Sequence, residues 1–109
     1  EVVAKRSEGR WRRRLPLHLQ MRVRELRGAL TRSAVFSRHE LIGTTLLLVA
    51  DETCRAGAWM IDFGVTREAP APLQHDVPWV PGNREDGYLL GLASLTEMLQ
   101  ELVAADEWD

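Results

Sequence analysis

The sequence predicts an α+β fold consisting of an N-terminal helix, an antiparallel β-hairpin, an irregular connector and a long C-terminal helix. Three observations predict it. Apolar residues recur at helical spacing near both ends of the chain, two β-rich runs lie in the middle, and a proline-containing stretch follows them. The 109 residues amount to about one small domain.

The N-terminal region is predicted to divide into a basic arm and a helix. Residues 1–15 lack an apolar period and carry Arg10, Arg12, Arg13 and Arg14 around Trp11. They indicate a flexible basic arm in solvent, with binding to nucleic acid or anionic lipid as the less favoured alternative. A helix follows from Pro16, which suits a first helical turn. Its apolar side is formed by Leu19, Val23, Leu26 and Leu30.

Two runs rich in Leu, Ile, Val and Thr, residues 41–49 and 58–63, predict a β-hairpin with a longer loop between its strands. His39 is expected where the first strand begins. Pro70, Pro72 and Pro78 then favour about twenty residues without a regular element, because proline lacks the N–H that helices and sheet ladders use.

The last helix is predicted to begin at the Asn83-Arg84-Glu85-Asp86 run and to end near Ala105. Asn83 suits a helix cap, and Glu85 and Asp86 favour the first turn, where backbone N–H groups are free. The buried stripe of this helix is predicted to consist of Leu89, Leu92, Leu95, Leu99 and Leu102.

Composition excludes several classes of protein. The apolar run at 41–50 is about half as long as a membrane-spanning helix requires, so no membrane span is predicted. The single cysteine, Cys54, cannot form an internal disulfide, and it indicates a reduced chain in the cytoplasm with an exposed turn thiol. His18, His39 and His75 show no zinc spacing relative to Cys54.

Charge is divided unevenly along the chain. Residues 1–40 have a net charge of +7, from eleven basic and four acidic residues, whereas residues 41–109 have a net charge of −9, from three and twelve. This asymmetry indicates an anion-binding arm with an acidic partner, or two segments of different origin.

Asp62 is the candidate metal ligand. It ends an apolar strand and precedes Phe63, which can pack inward, and Gly64, which allows a turn. The carboxylate would then face a cleft, where Mg²⁺ with nucleotide phosphates is a suitable occupant. The alternative is a buried structural aspartate that accepts hydrogen bonds from loop N–H groups.

The register of the hairpin decides which hydroxyl lies near Asp62. Pairing of Val49 with Ala58 would place Thr45 opposite Asp62, and a slip of one residue would place Thr44 there. Either hydroxyl is suited to orient the carboxylate or to bind a metal-bound water. The sequence leaves both alternatives open.

Residues 37–103 resemble the C-terminal segment of the inositol-trisphosphate 3-kinase family. Thr44-Thr45-Leu46-Leu47 resembles the family's Ser-Ser-Leu-Leu, and Ile61-Asp62-Phe63-Gly64-Val65-Thr66 resembles its Ile-Asp-Phe-Gly-Lys-Thr. Pro78-Trp79 and the long run from Gly82 to Leu89 resemble the family's entry into the last helix. Residues 16–109 would then form the C-terminal part of an inositol polyphosphate kinase-like domain, at the back of the larger kinase lobe.

The resemblance implies ATP-dependent phosphorylation of an inositol phosphate, with ATP and Mg²⁺ as cofactors. It places Asp62 at the metal and the ATP phosphates, with Thr44 or Thr45 as its partner. It assigns no catalytic acid or base to these residues, because the family's upstream Pro-x-x-x-Asp-x-Lys-x-Gly motif and nucleotide-binding lobe are absent from them. The chain is therefore expected to be part of an enzyme and inactive alone.

A second departure concerns the substrate phosphate. The family's lysine after Asp-Phe-Gly is Val65 here, which offers neither charge nor donor. If the chain stays extended after Gly64, Arg67 projects to the same side as Val65 and is the candidate substitute. A non-catalytic protein with a kinase-like scaffold, whose basic arm binds an acidic partner, is the rival interpretation.

Overall fold

The computed structural model describes residues 8–53 and 55–105, with side chains from Arg14 onward. In these residues two helices precede four consecutive strands and a third helix follows them, an α+β arrangement that confirms the predicted class. In chain order the elements are α1 (Glu8–Thr31), α2 (Ala34–Ser37), β1 (His39–Leu41), β2 (Thr45–Ala50), β3 (Ala56–Ile61), β4 (Thr66–Glu68) and α3 (Tyr88–Val103).

Helix α1 is longer than predicted. It begins at Glu8, so Pro16 lies inside the helix and the predicted start at Pro16 is wrong. The arginines before Pro16 are good helix formers and extend the helix across the position where proline removes one hydrogen bond. Residues 1–7 and the side chains of residues 8–13 lie outside the described part of the chain, and a separate basic arm at 1–15 stays a prediction.

The predicted hairpin forms from β2 and β3, with a register one residue away from the Val49–Ala58 pairing. Val49 lies opposite Gly57, and Thr45 lies opposite Ile61. The loop between the strands, residues 51–55, sets this register. The Oδ1 atom of Asp51 accepts hydrogen bonds from the N–H groups of Thr53 and Arg55 at 2.9 and 3.0 Å. Cys54, predicted to lie in this turn, falls outside the described residues.

A second two-stranded sheet was not predicted. Strand β1 pairs antiparallel with β4, with Glu40 opposite Arg67, and the N–H of Ile42 extends the pairing by donating to the Val65 carbonyl at 3.0 Å. The expectation of twenty irregular residues is therefore wrong for β4. The rest of the proline-rich connector, residues 69–87, contains no helix or strand.

The core lies where α1 and α3 pack together beside one face of the β2–β3 hairpin. From the predicted stripes, Val23 is fully buried, and Leu19 and Leu30 pack against the core. Among the described residues, the buried core cluster consists of Val23, Phe36, Leu41, Leu89, Leu92 and Leu99.

The predicted apolar stripe of α3 is buried at three of its five positions, and the prediction fails towards the end of the helix. Leu95 is only partly buried, and Leu102 is 42% exposed, so its predicted burial is wrong. Thr96 is buried instead, and its hydroxyl donates to the Leu92 carbonyl at 2.8 Å. Across the helix pair, the Nε2 of the buried Gln20 donates to the Thr96 carbonyl at 3.1 Å. These two polar side chains break the apolar stripes that sequence periodicity predicts.

Within the described residues, no helix combines the length and the hydrophobicity needed to cross a membrane.

Candidate nucleotide and phosphate site

Asp62 follows the last residue of β3 and leaves the extended conformation. Its φ angle is 66°, in the left-handed region that non-glycine residues seldom adopt. The residue is exposed, and its carboxylate has no hydrogen-bond partner within the described part of the chain. The alternative of a buried aspartate bound to loop N–H groups is therefore not what the fold contains. Unusual backbone geometry at an unpaired carboxylate is typical of ligand sites.

The hairpin register distinguishes the two candidate threonines. Thr45 pairs with Ile61, so the next position along the register places Thr44 across from Asp62, just beyond the strands. The Oγ1 atom of Thr44 is buried and has no hydrogen-bond partner among the described residues. A buried hydroxyl without a partner costs about 1–3 kcal/mol, so a ligand or water that supplies one would stabilise the site. The geometry favours Thr44 over the exposed Thr45.

The loop after Asp62 leads directly into β4. The Thr66 hydroxyl closes it by donating to the Phe63 carbonyl at 2.9 Å. Strand β4 begins at Thr66, and the bend residue Val65 just before it continues the antiparallel register, because its carbonyl accepts from the Ile42 N–H. Val65 and Arg67 therefore project to the same side of the sheet. Both are exposed, and Arg67 has no partner within the described ranges.

The run from Gly82 to Tyr88 holds the β1–β4 sheet in place. Arg84, with a φ of 62°, donates from Nε to Glu40 Oε1 at 3.0 Å and from Nη2 to the Glu68 carbonyl at 3.2 Å. It therefore contacts both strands of the sheet. Asn83 does not cap a helix as predicted, because its side chain donates to the Pro78 carbonyl and accepts from the Glu85 N–H.

Behind this sheet lies a buried polar group of three residues, His75, Glu85 and Asp86, here called the His75 cluster. The His75 side chain is 1% exposed, and its ring stacks on Phe36 at a centroid distance of 3.8 Å. Its Nδ1 lies 2.7 Å from Asp86 Oδ1, and its Nε2 lies 2.7 Å from the Phe36 carbonyl. Both ring nitrogens therefore lie within hydrogen-bond distance of an oxygen atom.

The two carboxylates of the cluster bind backbone N–H groups from three parts of the chain. Glu85 accepts from Gln74 at 2.9 Å and from His75 at 2.7 Å. Asp86 accepts from Leu41 in β1 at 2.8 Å and from Tyr88 at the start of α3 at 2.9 Å. The His75 cluster therefore joins the connector, β1 and the beginning of α3.

Helix α3 begins at Tyr88 and not at the predicted Asn83 run, because the side chains of that run bind the connector and the strands. Gly87, with a φ of 69°, precedes the helix and provides no side-chain cap. Asp86 binds the first helical N–H group, as predicted, whereas the carbonyl of His75 accepts from Leu89 and Leu90. Glu85 instead faces the connector, so its predicted capping role is wrong. The structural role of His75 was not predicted, because its partners lie across an irregular segment, where no residue spacing predicts contact.

Tyr88 shows the electrostatic influence of this cluster. Burial and the neighbouring Asp86 charge raise the pKa of the Tyr88 phenol. Its hydroxyl is buried without a hydrogen-bond partner in the described ranges, and its ring meets Phe36 edge to face at 6.4 Å. Tyr88 therefore closes the cluster on the side of the core.

Within residues 8–53 and 55–105, no three His, Cys, Asp or Glu side chains converge to hold a metal ion. Asp62 offers a single exposed carboxylate, and Thr44, across from it in the strand register, has a buried hydroxyl without a partner among these residues. This donor set fits Mg²⁺, which commonly takes one or two carboxylates together with substrate phosphates and retained waters.

Comparison with known proteins gives the same family as the motifs. The family model described as inositol polyphosphate kinase matches residues 4–100. Human inositol-trisphosphate 3-kinase B is 49% identical over 83 residues, covering 74% of this chain and 9% of that protein. Human inositol-trisphosphate 3-kinase A is 51% identical over 83 residues, covering 74% of this chain and 18% of that protein. The Caenorhabditis elegans inositol-trisphosphate 3-kinase homolog is 41% identical over 98 residues, covering 86% of this chain and 19% of that protein.

The chain thus spans less than one fifth of the length of these relatives. The family match covers most of this chain and includes the hairpin, the Asp62 loop and the Gly82–Tyr88 run. The predicted resemblance is confirmed, and the chain belongs to the inositol polyphosphate kinase family.

Proposed function

We propose that this chain supplies the metal-binding and phosphate-facing part of an enzyme that transfers the γ-phosphate of ATP to a hydroxyl of an inositol phosphate. The observation that carries the proposal is Asp62, an exposed carboxylate in a left-handed conformation that has no partner within the described residues and lies across the register from Thr44, whose hydroxyl is buried. The names of the relatives support an inositol phosphate as substrate.

In the proposed reaction the inositol oxygen forms a bond to the γ-phosphorus, while the bond from that phosphorus to the β–γ bridging oxygen breaks. ADP leaves with that oxygen, and the hydroxyl proton passes to a base outside these residues. Mg²⁺ would supply charge neutralisation at the phosphates when bound. Asp62 would hold it, and the Thr44 hydroxyl would orient the Asp62 carboxylate or a metal-bound water.

Nucleotide binding by the purified chain, measured by calorimetry with and without Mg²⁺, tests this site. We expect Mg²⁺-dependent ATP binding that weakens in Asp62→Asn and in Thr44→Val. Thr45→Val is the matched control, because Thr45 lies within the ladder and is exposed. Circular dichroism checks that each variant is folded. Unchanged ATP affinity in Asp62→Asn and in Thr44→Val would show that the site is assigned wrongly.

Arg67 is proposed to bind the substrate phosphate in place of the missing lysine. Val65 offers no donor, whereas Arg67 lies on the same side of the extended segment and has a free guanidinium within the described structure. Arginine can bind phosphate through two parallel hydrogen bonds. A charge-assisted hydrogen bond contributes about 1.5–3 kcal/mol, so Arg67→Ala should weaken inositol phosphate binding roughly 10–150-fold.

Val65→Lys is the complementary variant. Tighter binding in Val65→Lys with no change in Arg67→Ala would indicate a disabled phosphate site and contradict the proposed role of Arg67. Both affinities are best measured after the missing kinase lobe has been supplied. Loss of binding in Arg67→Ala alone would support Arg67 as the substitute.

The rival function is a non-catalytic interaction protein in which the basic N-terminal region binds an acidic partner. Val65, which stands where the family has a lysine, favours it. The nucleotide titration separates the two, because an interaction scaffold requires no Mg²⁺-dependent ATP binding at Asp62. A cytoplasmic location, predicted from the lone cysteine, remains part of the proposal.

A further inference from the structure

Two arginines are placed to reach one carboxylate on the outer face of the β1–β4 sheet. Glu40 and Arg67 lie directly opposite each other in the strand register. Directly opposed residues of an antiparallel pair project to the same face, and opposite charges in these positions attract. Yet Glu40 is bound by Arg84 at 3.0 Å, and no ion pair joins it to Arg67 in the described structure.

The position of Arg84 is fixed by its surroundings. Its second hydrogen bond reaches the Glu68 carbonyl, next to Arg67 in β4. The following residue, Glu85, is buried and accepts two backbone hydrogen bonds from the connector. The Glu40 side chain is 16% exposed and that of Arg84 is 38% exposed. A partly buried pair of this kind is screened less by salt than a pair between Glu40 and the exposed Arg67 would be.

We propose that Arg84 is a positioning residue that occupies Glu40 and so keeps the Arg67 guanidinium available to a phosphate group of the substrate. The inference rests on the proposed function of Arg67. It extends that function by assigning a role to the Gly82–Tyr88 run in the phosphate site, although the run itself contacts no ligand in the proposal.

The proposal has a consequence for affinity. Without Arg84, Glu40 would be free to pair with Arg67, and a phosphate ligand would have to displace that pair. A cross-strand ion pair of ordinary strength is populated a few times more than its open form. Inositol phosphate affinity should therefore fall about two- to sixfold in Arg84→Gln.

The test is a double-mutant cycle on the chain supplied with the missing kinase lobe, with inositol trisphosphate binding measured by calorimetry. We expect weaker binding in Arg84→Gln, unchanged binding in Glu40→Gln, and wild-type binding in the double variant. If Glu40 and Arg84 act only through the electrostatic effect of their charges on the phosphate ligand, the pattern is different. Glu40→Gln alone should then tighten binding as much as Arg84→Gln weakens it. That additive pattern would overturn the inference. Arg84→Lys, which keeps a cation for Glu40, should bind like the wild type.

Nuclear magnetic resonance of the Arg67 Nε–H group provides a readout that needs no ligand. In the free chain, its signal should be the same in the wild type and in Glu40→Gln, because Arg67 is unpaired in both. It should shift in Arg84→Gln and return in the double variant. If the Arg67 signal of Glu40→Gln differs from that of the wild type, Arg67 already pairs with Glu40 in the wild type. That result would overturn the inference even if Arg84→Gln fails to fold.

Arg67→Gln separates failure of the inference from failure of the proposed function. If Arg67→Gln leaves inositol trisphosphate affinity unchanged, Arg67 does not bind the ligand, and both the proposed phosphate role and the effect of Arg84 on affinity are wrong. If Arg67→Gln weakens binding but Arg84→Gln does not, the phosphate role stands and the positioning role of Arg84 is wrong.

Discussion

Asp86→Ala should destabilise the fold more than most single changes, because the Asp86 carboxylate connects three elements. It accepts hydrogen bonds from the Leu41 and Tyr88 N–H groups at 2.8 and 2.9 Å, and it lies 2.7 Å from Nδ1 of the buried His75. Alanine removes all three acceptor contacts and leaves the imidazole ring without its carboxylate neighbour.

The magnitude follows from burial. The side chains of His75 and Asp86 are 1% and 6% exposed, so water cannot readily replace the lost partner. Each buried donor that is left without its acceptor costs about 1–3 kcal/mol. Three contacts are lost together, and because they share one carboxylate their costs are not fully additive, so the expected total is about 3–5 kcal/mol. A loss of about 3–5 kcal/mol is large beside the roughly 5–15 kcal/mol that stabilises a typical domain.

Urea unfolding followed by circular dichroism measures this loss. Asp76→Ala is the matched control, since Asp76 lies in the same connector, is exposed and has no partner among the described residues. Its cost should stay within about 0.5 kcal/mol. If Asp86→Ala is too unstable to titrate, hydrogen exchange at the Leu41 amide in Asp86→Asn reports the weakened contact. A cost below about 1 kcal/mol for Asp86→Ala, or one equal to the control, would refute the role assigned to the His75 cluster.

Three further predictions concern the core and the activity of the chain. Tyr88 is the only tyrosine in the sequence, so tyrosinate absorbance reports its titration directly. Because the pKa of Tyr88 is raised in the folded state, its contribution to stability is fully present below pH 10.0 and is lost as the pH rises through the raised value. The Tyr88→Phe variant should not show that loss of stability. An alkaline unfolding curve that is identical in Tyr88→Phe would contradict this assignment. Leu99→Ala should cost about 2–5 kcal/mol in urea unfolding and Leu102→Ala less than about 1 kcal/mol, since Leu99 is 6% and Leu102 42% exposed; equal costs would show that the two residues are packed alike. The chain alone should phosphorylate no inositol trisphosphate, because the upstream motif is absent from it, and turnover that disappears in Asp62→Ala would disprove this expectation.

The helices and the hairpin were predictable because their signals are local. Apolar spacing identified Leu89, Leu92 and Leu99 as the buried side of α3. The register was less certain, since the turn that fixes it depends on the contacts of Asp51 with residues two and four positions later. A shift of one residue moves the opposed threonine from Thr45 to Thr44.

The β1–β4 sheet and the His75 cluster were beyond prediction from local patterns. Strands of three residues are too short to show a period, and β1 and β4 are separated by the whole hairpin. His75 binds a backbone carbonyl of α2 and a carboxylate eleven positions further along the chain, across an irregular connector. The position of the Asp62 loop was predictable from its motif. The exposure and the left-handed backbone conformation of Asp62 were not, because they depend on how the loop packs in three dimensions.

The most direct test of the proposed role of Asp62 is the activity of a chimera in which this chain replaces the matching segment of human inositol-trisphosphate 3-kinase A. We expect the chimera to phosphorylate inositol trisphosphate with ATP, and Asp62→Ala to lower kcat at least about a hundredfold while the protein stays folded. A chimera that loses no activity in Asp62→Ala would contradict the assignment of Asp62 as the residue that holds the metal and the ATP phosphates.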